Sequence, residues 1–78
     1  MSDEQINAAI AELYGWQADF VHDLNAMHEA EEMIVGALWR DYFERLQRYG
    51  KAFGIRATAR QRAEAFLRTM GKWEEVQP

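Results

Sequence analysis

Seventy-eight residues make one small domain, and a chain this short buries only roughly 60% of the surface its unfolded form exposes. It has no cysteine, which excludes disulfide staples and thiolate metal sites, while 49% hydrophobic and 13% aromatic content is too rich for a disordered tail. The net charge of −4 conceals a division: residues 1–39 hold eight acids and no Lys or Arg, whereas residues 40–78 hold nine bases and five acids, so the halves carry −8 and +4.

Such segregation points to complementary faces, an electropositive site, or both. With no staple available, oligomerisation is the main remaining way to stabilise so small a chain. The opening residues carry no basic n-region, so no secretory signal is expected. No apolar run approaches the roughly 20 residues that span a bilayer, and no uncharged stretch is longer than the seven residues of 33–39. The simplest location for such a chain is the cytoplasm.

The spacing predicts an all-α single domain over residues 1–78, with helices over about 3–14, 20–49 and 59–70. Ser2 and Gln5 have the spacing of a capping box, and Asp3 and Glu4 sit where the helix dipole favours negative charge. Ile6, Ala9, Ile10 and Leu13 then form one apolar face. Gly15 is a natural left-handed stop, after which Trp16 is expected to fold back onto the helix end.

Asp19 reads as the N-cap of the second helix. From there a stripe runs through Phe20, Leu24, Met27, Ala30, Ile34, Leu38, Tyr42, Leu46, Tyr49 and Phe53, every step three or four. This is either one long helix of about 45 Å or one interrupted near Val35 and Gly36, since glycine costs about 1 kcal/mol against alanine in a helix. Val35, Trp39 and Phe43 add a second apolar row, wider than a single packing face requires. Either other helices bury both rows or a second subunit covers one. Asp41–Arg45 and Glu44–Arg48 have acid-first i, i+4 spacing on the polar side.

Gly50 and Gly54 bracket a turn over residues 51–57, and Thr58 with Gln61 repeats the capping-box pattern. Ala59, Ala63, Phe66, Leu67 and Met70 form the buried face of the last helix. Gly71 stops it, Trp73 packs back, and residues 74–78 are expected to fray.

Three clusters carry candidate chemistry. On a helix, His28 lies above Glu31 and Glu32, a spacing that suits either a His hydrogen-bonded to a carboxylate or a divalent-ion site. An ion would need ligands from other helices, and the first helix offers only Glu12 in its interior. Glu29-x-x-Glu32 followed by Asp41-x-x-Glu44 faintly resembles the paired acidic motifs of all-α nucleotide pyrophosphohydrolases. Twelve residues of straight helix would hold those pairs about 18 Å apart, so they could converge only after a sharp kink or through another subunit.

The basic series Arg56, Arg60, Arg62 and Arg68, with Trp73, has the residue types that hold a phosphate or nucleotide, arginine as a forked donor and tryptophan as a stacking plane. Arg60 and Arg62 oppose the dipole at a helix N-terminus, so something negative must lie near, either an external anion or the acidic half of the chain. Direct DNA reading is not expected from an acidic chain without a helix-turn-helix pattern. No cofactor, no metal and no catalytic role are expected; Ser2 is the sole serine, which leaves no serine nucleophile in a folded interior.

Asp19-Phe20-Val21-His22-Asp23-Leu24-Asn25-Ala26-Met27-His28-Glu29-Ala30-Glu31 resembles a signature of small tailed-phage and prophage proteins that carry the phage ABA sandwich domain. Ala57-Thr58-Ala59-Arg60-Gln61-Arg62-Ala63-Glu64-Ala65-Phe66-Leu67-Arg68-Thr69-Met70-Gly71-Lys72-Trp73-Glu74-Glu75 is similar to that family's closing segment, and residues 3–16 are similar to its opening. In the family a longer stretch supplies sheet strands between the Gly-Trp pair and the segment beginning at Asp19. Here only Gln17 and Ala18 intervene, which favours an all-helical variant. The resemblance implies phage origin more than mechanism.

By analogy with small phage accessory proteins, the expected function is stoichiometric binding, foremost inhibition of a bacterial anti-phage defence component of the anti-CRISPR or a similar type. A bacterial host protein and further copies of the chain are the expected partners, in the cytoplasm of the infected host. Asp19, Asp23, Glu29, Glu31, Glu32 and Trp39 are the candidate partner-facing residues. The alternatives are a sponge that sequesters a phosphorylated nucleotide signal at Arg56, Arg60, Arg62 and Trp73, and a structural or regulatory helical protein.

Overall fold

Two capping boxes set the beginnings of the first and last helices. The computed structural model describes residues 1–49 and 57–74. In it the Ser2 hydroxyl accepts from Gln5 N–H at 3.1 Å while the Gln5 side chain accepts from Ser2 N–H at 2.8 Å, which starts α1 (Asp3–Tyr14). Thr58 and Gln61 do the same for α4 (Ala59–Thr69). Between them lie α2 (Leu24–Glu31) and α3 (Ala37–Gln47). The described residues contain helices and no strand, so the fold is all-α. None of these helices is long and apolar enough to cross a membrane.

Of the two alternatives for residues 20–49, one long helix or one interrupted near Val35 and Gly36, the structure has the interrupted one, as two separate helices. Its start moves because residues 19–23 form a single turn, with His22 and Asp23 N–H both donating to the Asp19 carbonyl. Asp23 then adopts extended φ −109°, ψ 102°, and its carboxylate accepts from Asn25 and Ala26 N–H, so Asp23 rather than Asp19 is the N-cap. The middle breaks because the chain tightens into three-residue hydrogen bonds after Glu31 and then reaches Gly36 at φ 59°, ψ −133°. Only glycine visits that region readily. Of the stripe's residues, Ile34 is buried from the connecting turn itself, whereas Leu24 and Leu38 are exposed.

α4 is the hub. It packs against α1, α2 and α3, and its buried residues Arg62, Ala63, Ala65, Phe66, Leu67 and Thr69 occupy more than one face. Ala63 and Ala65 let neighbouring backbones come close, while Phe66 and Leu67 fill the space between. Around it gather Ile6 and Ile10 of α1, Phe20 and Val21 of the connecting turn, Met27 and Ala30 of α2, and Tyr42 and Leu46 of α3. Tyr14 meets Phe20 edge-on, with ring centroids 6.3 Å apart, closing the end of α1 over that turn. The Cα radius of gyration is 11.6 Å, close to the ~11.5 Å of a compact domain of this length.

Asn7 secures the connector between α1 and α2. Its side-chain oxygen accepts from Val21 N–H at 3.1 Å, and its amide donates to the Asp19 carboxylate at 3.0 Å. Gly15 stops α1 in the left-handed conformation at φ 80°, as its position suggested, but Trp16 turns outward and is exposed instead of folding back. Trp73 does pack back, half-buried against the core below the end of α4.

Candidate functional site

The second apolar row of α3 is uncovered. α4 takes Tyr42 and Leu46 into the core, and because the helix turns 100° per residue, Trp39 and Phe43 emerge on the adjacent face. Trp39 is 46% exposed, and Val35, Leu38 and Phe43 are exposed with it. The Trp39 ring rests on Tyr42, with centroids 5.7 Å apart, so the indole is held from behind while its outer face meets solvent. Contiguous exposed apolar surface of this kind marks an interaction site on a small protein.

Beside the strip lies a shallow hollow lined by His28, Glu31, Glu32, Ile34 and Trp39. Its floor is a buried polar cluster. Glu31 and Arg62 are only 7% and 8% exposed, and they meet at 3.2 Å between Oε2 and Nη1. The other Glu31 oxygen faces His28 Nδ1 at 2.9 Å, and Arg62 Nε donates to the Ala57 carbonyl at 3.3 Å. Charge-assisted contacts on both partners are what a buried pair needs to offset its desolvation. The Tyr42 hydroxyl is buried in the same region with no hydrogen-bond partner among the described residues. Burial, and then the Glu31 charge, push this phenol far above its ordinary pKa.

The acids expected to face a partner therefore divide. Glu29 and Glu32 are exposed, Glu32 beside Trp39. Glu31 is withdrawn into the core by Arg62, because α2 presents it inward toward α4. Asp23 is exposed but occupied as the cap of α2. Asp19 is held below the usual carboxylate range by the Asn7 amide first and by His22 as well, against an opposing contribution from burial.

The four residues of the expected anion site do not converge. Arg60 pairs with Asp3 of α1 at 2.9 Å, which supplies the negative charge its helix N-terminus required from the acidic half of the chain. Arg62 points into the core toward Glu31. Trp73 lies past the opposite end of α4, where the Arg68 guanidinium sits 4.9 Å above its ring. The length of α4, about 16 Å, separates it from Arg60. Arg56 lies outside the described residues.

One polar cluster was not singled out from sequence. Tyr49 donates to Glu64, and Arg68 Nε approaches the same carboxylate at 3.4 Å, joining the end of α3 to α4 and, through Arg68, to Trp73. Burial and the Glu64 contact raise the Tyr49 phenol. The i, i+4 spacing of Glu64 and Arg68 was the available signal. On α3, Asp41 pairs with Arg45 at 3.4 Å as its spacing suggested, but Glu44 pairs back to Arg40 at 3.7 Å rather than forward to Arg48. The break at Gly36 does not bring the Glu29/Glu32 and Asp41/Glu44 pairs into a metal site: among the described residues no group of three or more His, Asp or Glu is arranged to hold an ion.

Compared with protein-family models, with curated proteins and with solved structures, the chain matches none.

Proposed function

We propose that this chain is a small phage accessory protein that acts by stoichiometric binding rather than catalysis, as an oligomer, and that it inhibits a bacterial anti-phage defence component in the cytoplasm of the infected host. What carries the reading is the uncovered strip of Val35, Leu38, Trp39 and Phe43 beside the exposed acids Glu29 and Glu32. An apolar anchor next to a charged rim is the anatomy of a protein interface. The acidic edge suits a basic nucleic-acid-binding surface on the target, with the strip holding copies of the chain together. The resemblance of residues 19–31 and 57–75 to the phage ABA sandwich family supports phage origin.

The nucleotide-sponge reading has less support. Two of its arginines are engaged inside the chain, Arg60 with Asp3 and Arg62 with Glu31. A thermal-shift panel of cyclic and linear nucleotides should therefore leave the melting temperature unchanged.

The test is expression in bacteria carrying defined defence systems, scored by phage plaquing. The wild-type chain is expected to relieve one system, and Glu29→Lys with Glu32→Lys to abolish relief without loss of helical circular dichroism. If no system is relieved, the inhibitor reading is wrong.

A further inference from the structure

We propose that two copies of this chain associate through α3, packed antiparallel about a two-fold axis at residue 42, with Arg40 of each copy facing Glu44 of the other. The proposal rests on the oligomeric part of the function above and names its geometry.

Three observations select this arrangement. First, the strip is apolar and presents aromatics: Trp39 and Phe43 emerge four residues apart on one face, with Val35 and Leu38 beside them. Second, the edge of the strip turned away from the core carries Arg40 and Glu44, also four residues apart, with side chains 88% and 66% exposed. In an isologous antiparallel contact the same edge of each helix faces its mate, and whatever residue i meets in residue j is repeated by j meeting i. A two-fold at residue 42 therefore sets Arg40 against Glu44 twice. Parallel packing or a shift by one turn would set like charges together or leave both without a mate.

Third, residue 42 is the midpoint of α3, so the register chosen by charge also overlaps all 11 residues of the helix, a contact about 16 Å long. Along it the rings interleave. Trp39, Phe43 of the second copy, Phe43, and Trp39 of the second copy succeed one another at two-residue intervals, about 3 Å apart along the axis. Tyr42 backs the Trp39 ring in each copy, so the anchors are rigid before they meet. The i, i+4 contact between Arg40 and Glu44 within one helix is long at 3.7 Å and exposed, so little opposes its exchange for a contact across the interface.

The test is sedimentation equilibrium on wild type, Arg40→Glu, Glu44→Arg, and an equimolar mixture of the two variants. Both substitutions are on exposed side chains, and circular dichroism checks that the fold persists. Wild type is expected to be a dimer, and each variant alone to dissociate about tenfold more readily, because two attractive contacts become repulsive. The mixture is expected to regain wild-type affinity as a heterodimer, since one chain then presents only acids and the other only bases along that edge. A local effect on helix stability would not be rescued by mixing.

If the mixture associates no better than either variant, the two-fold register is wrong. In that case loss of the wild-type oligomer on Trp39→Glu still leaves the oligomeric reading standing. If wild type is monomeric at every concentration to its solubility limit, both fail, and the plaquing assay alone then decides the inhibitor reading.

Discussion

The Glu31 carboxylate and the Arg62 guanidinium, 31 residues apart in sequence, meet at 3.2 Å inside the helical core. They join the end of α2 to α4 and lie under the hollow beside Trp39. Removing one partner takes the facing charge away from the other. Glu31→Ala or Arg62→Ala is expected to cost about 3–5 kcal/mol, read as a fall in the urea midpoint. Replacing both with apolar residues of similar volume, Glu31→Leu with Arg62→Met, is expected to recover most of that loss. A double variant as unstable as the singles would show that the pair contributes more than mutual neutralisation.

Gly36 separates the two accounts of the central segment by the sign of one measurement. In a continuous helix Gly36→Ala would stabilise by about 1 kcal/mol. At φ 59°, ψ −133° it is expected to destabilise by about 1–3 kcal/mol. Nothing lies within 4 Å of where the added Cβ would sit, so the effect is confined to backbone conformation. Denaturant titration of this single variant decides between them.

Tyr42 buries a hydroxyl that finds no hydrogen bond among the described residues. Tyr42→Phe keeps the ring that supports Trp39 and is expected to raise stability by about 1 kcal/mol. The phenol's folded pKa lies above its unfolded value of 10.0, so the native state holds this proton more tightly. Stability from that source is complete below pH 10 and falls as pH rises further. Tyr42→Phe should flatten that alkaline decline. A destabilised variant would mean that the hydroxyl is bonded to Glu31.

Asp19 titrates in the opposite direction. Its folded pKa lies below 3.8, with the Asn7 amide as the largest cause. The stability it contributes is present above pH 3.8 and is lost as pH falls through the lower, folded value. Asn7→Ala should move the Asp19 carboxyl midpoint, followed by NMR, up toward its ordinary value. It also removes the acceptor for Val21 N–H and should speed amide exchange there. An unmoved midpoint would assign the shift to His22.

The parts legible in sequence were local. Each capping box needs two residues three apart, and neither box depends on what packs around it. Asn7 shows the limit: its type and spacing are those of any solvent-facing helix residue, yet it bonds across 12 and 14 positions to Asp19 and Val21. The second apolar row on α3 was visible as an excess over one packing face, although sequence left open whether another helix or another subunit covered it. Arg60 was visibly misplaced at a helix N-terminus, and the need for a nearby negative charge followed from the dipole alone.

By itself the sequence determined the helical class, the first and last helices and the segregation of charge, because capping, periodicity and composition act over a few neighbouring residues. Only the tertiary structure decided that the central stripe breaks at Gly36, that Glu31 and Arg62 are interior while Glu29 and Glu32 face outward, and that α4 leaves Trp39 and Phe43 uncovered. Those outcomes depend on which faces α4 can reach at once. A helix surrounded on several sides covers one row of each neighbour, and the row left over becomes the surface available for binding.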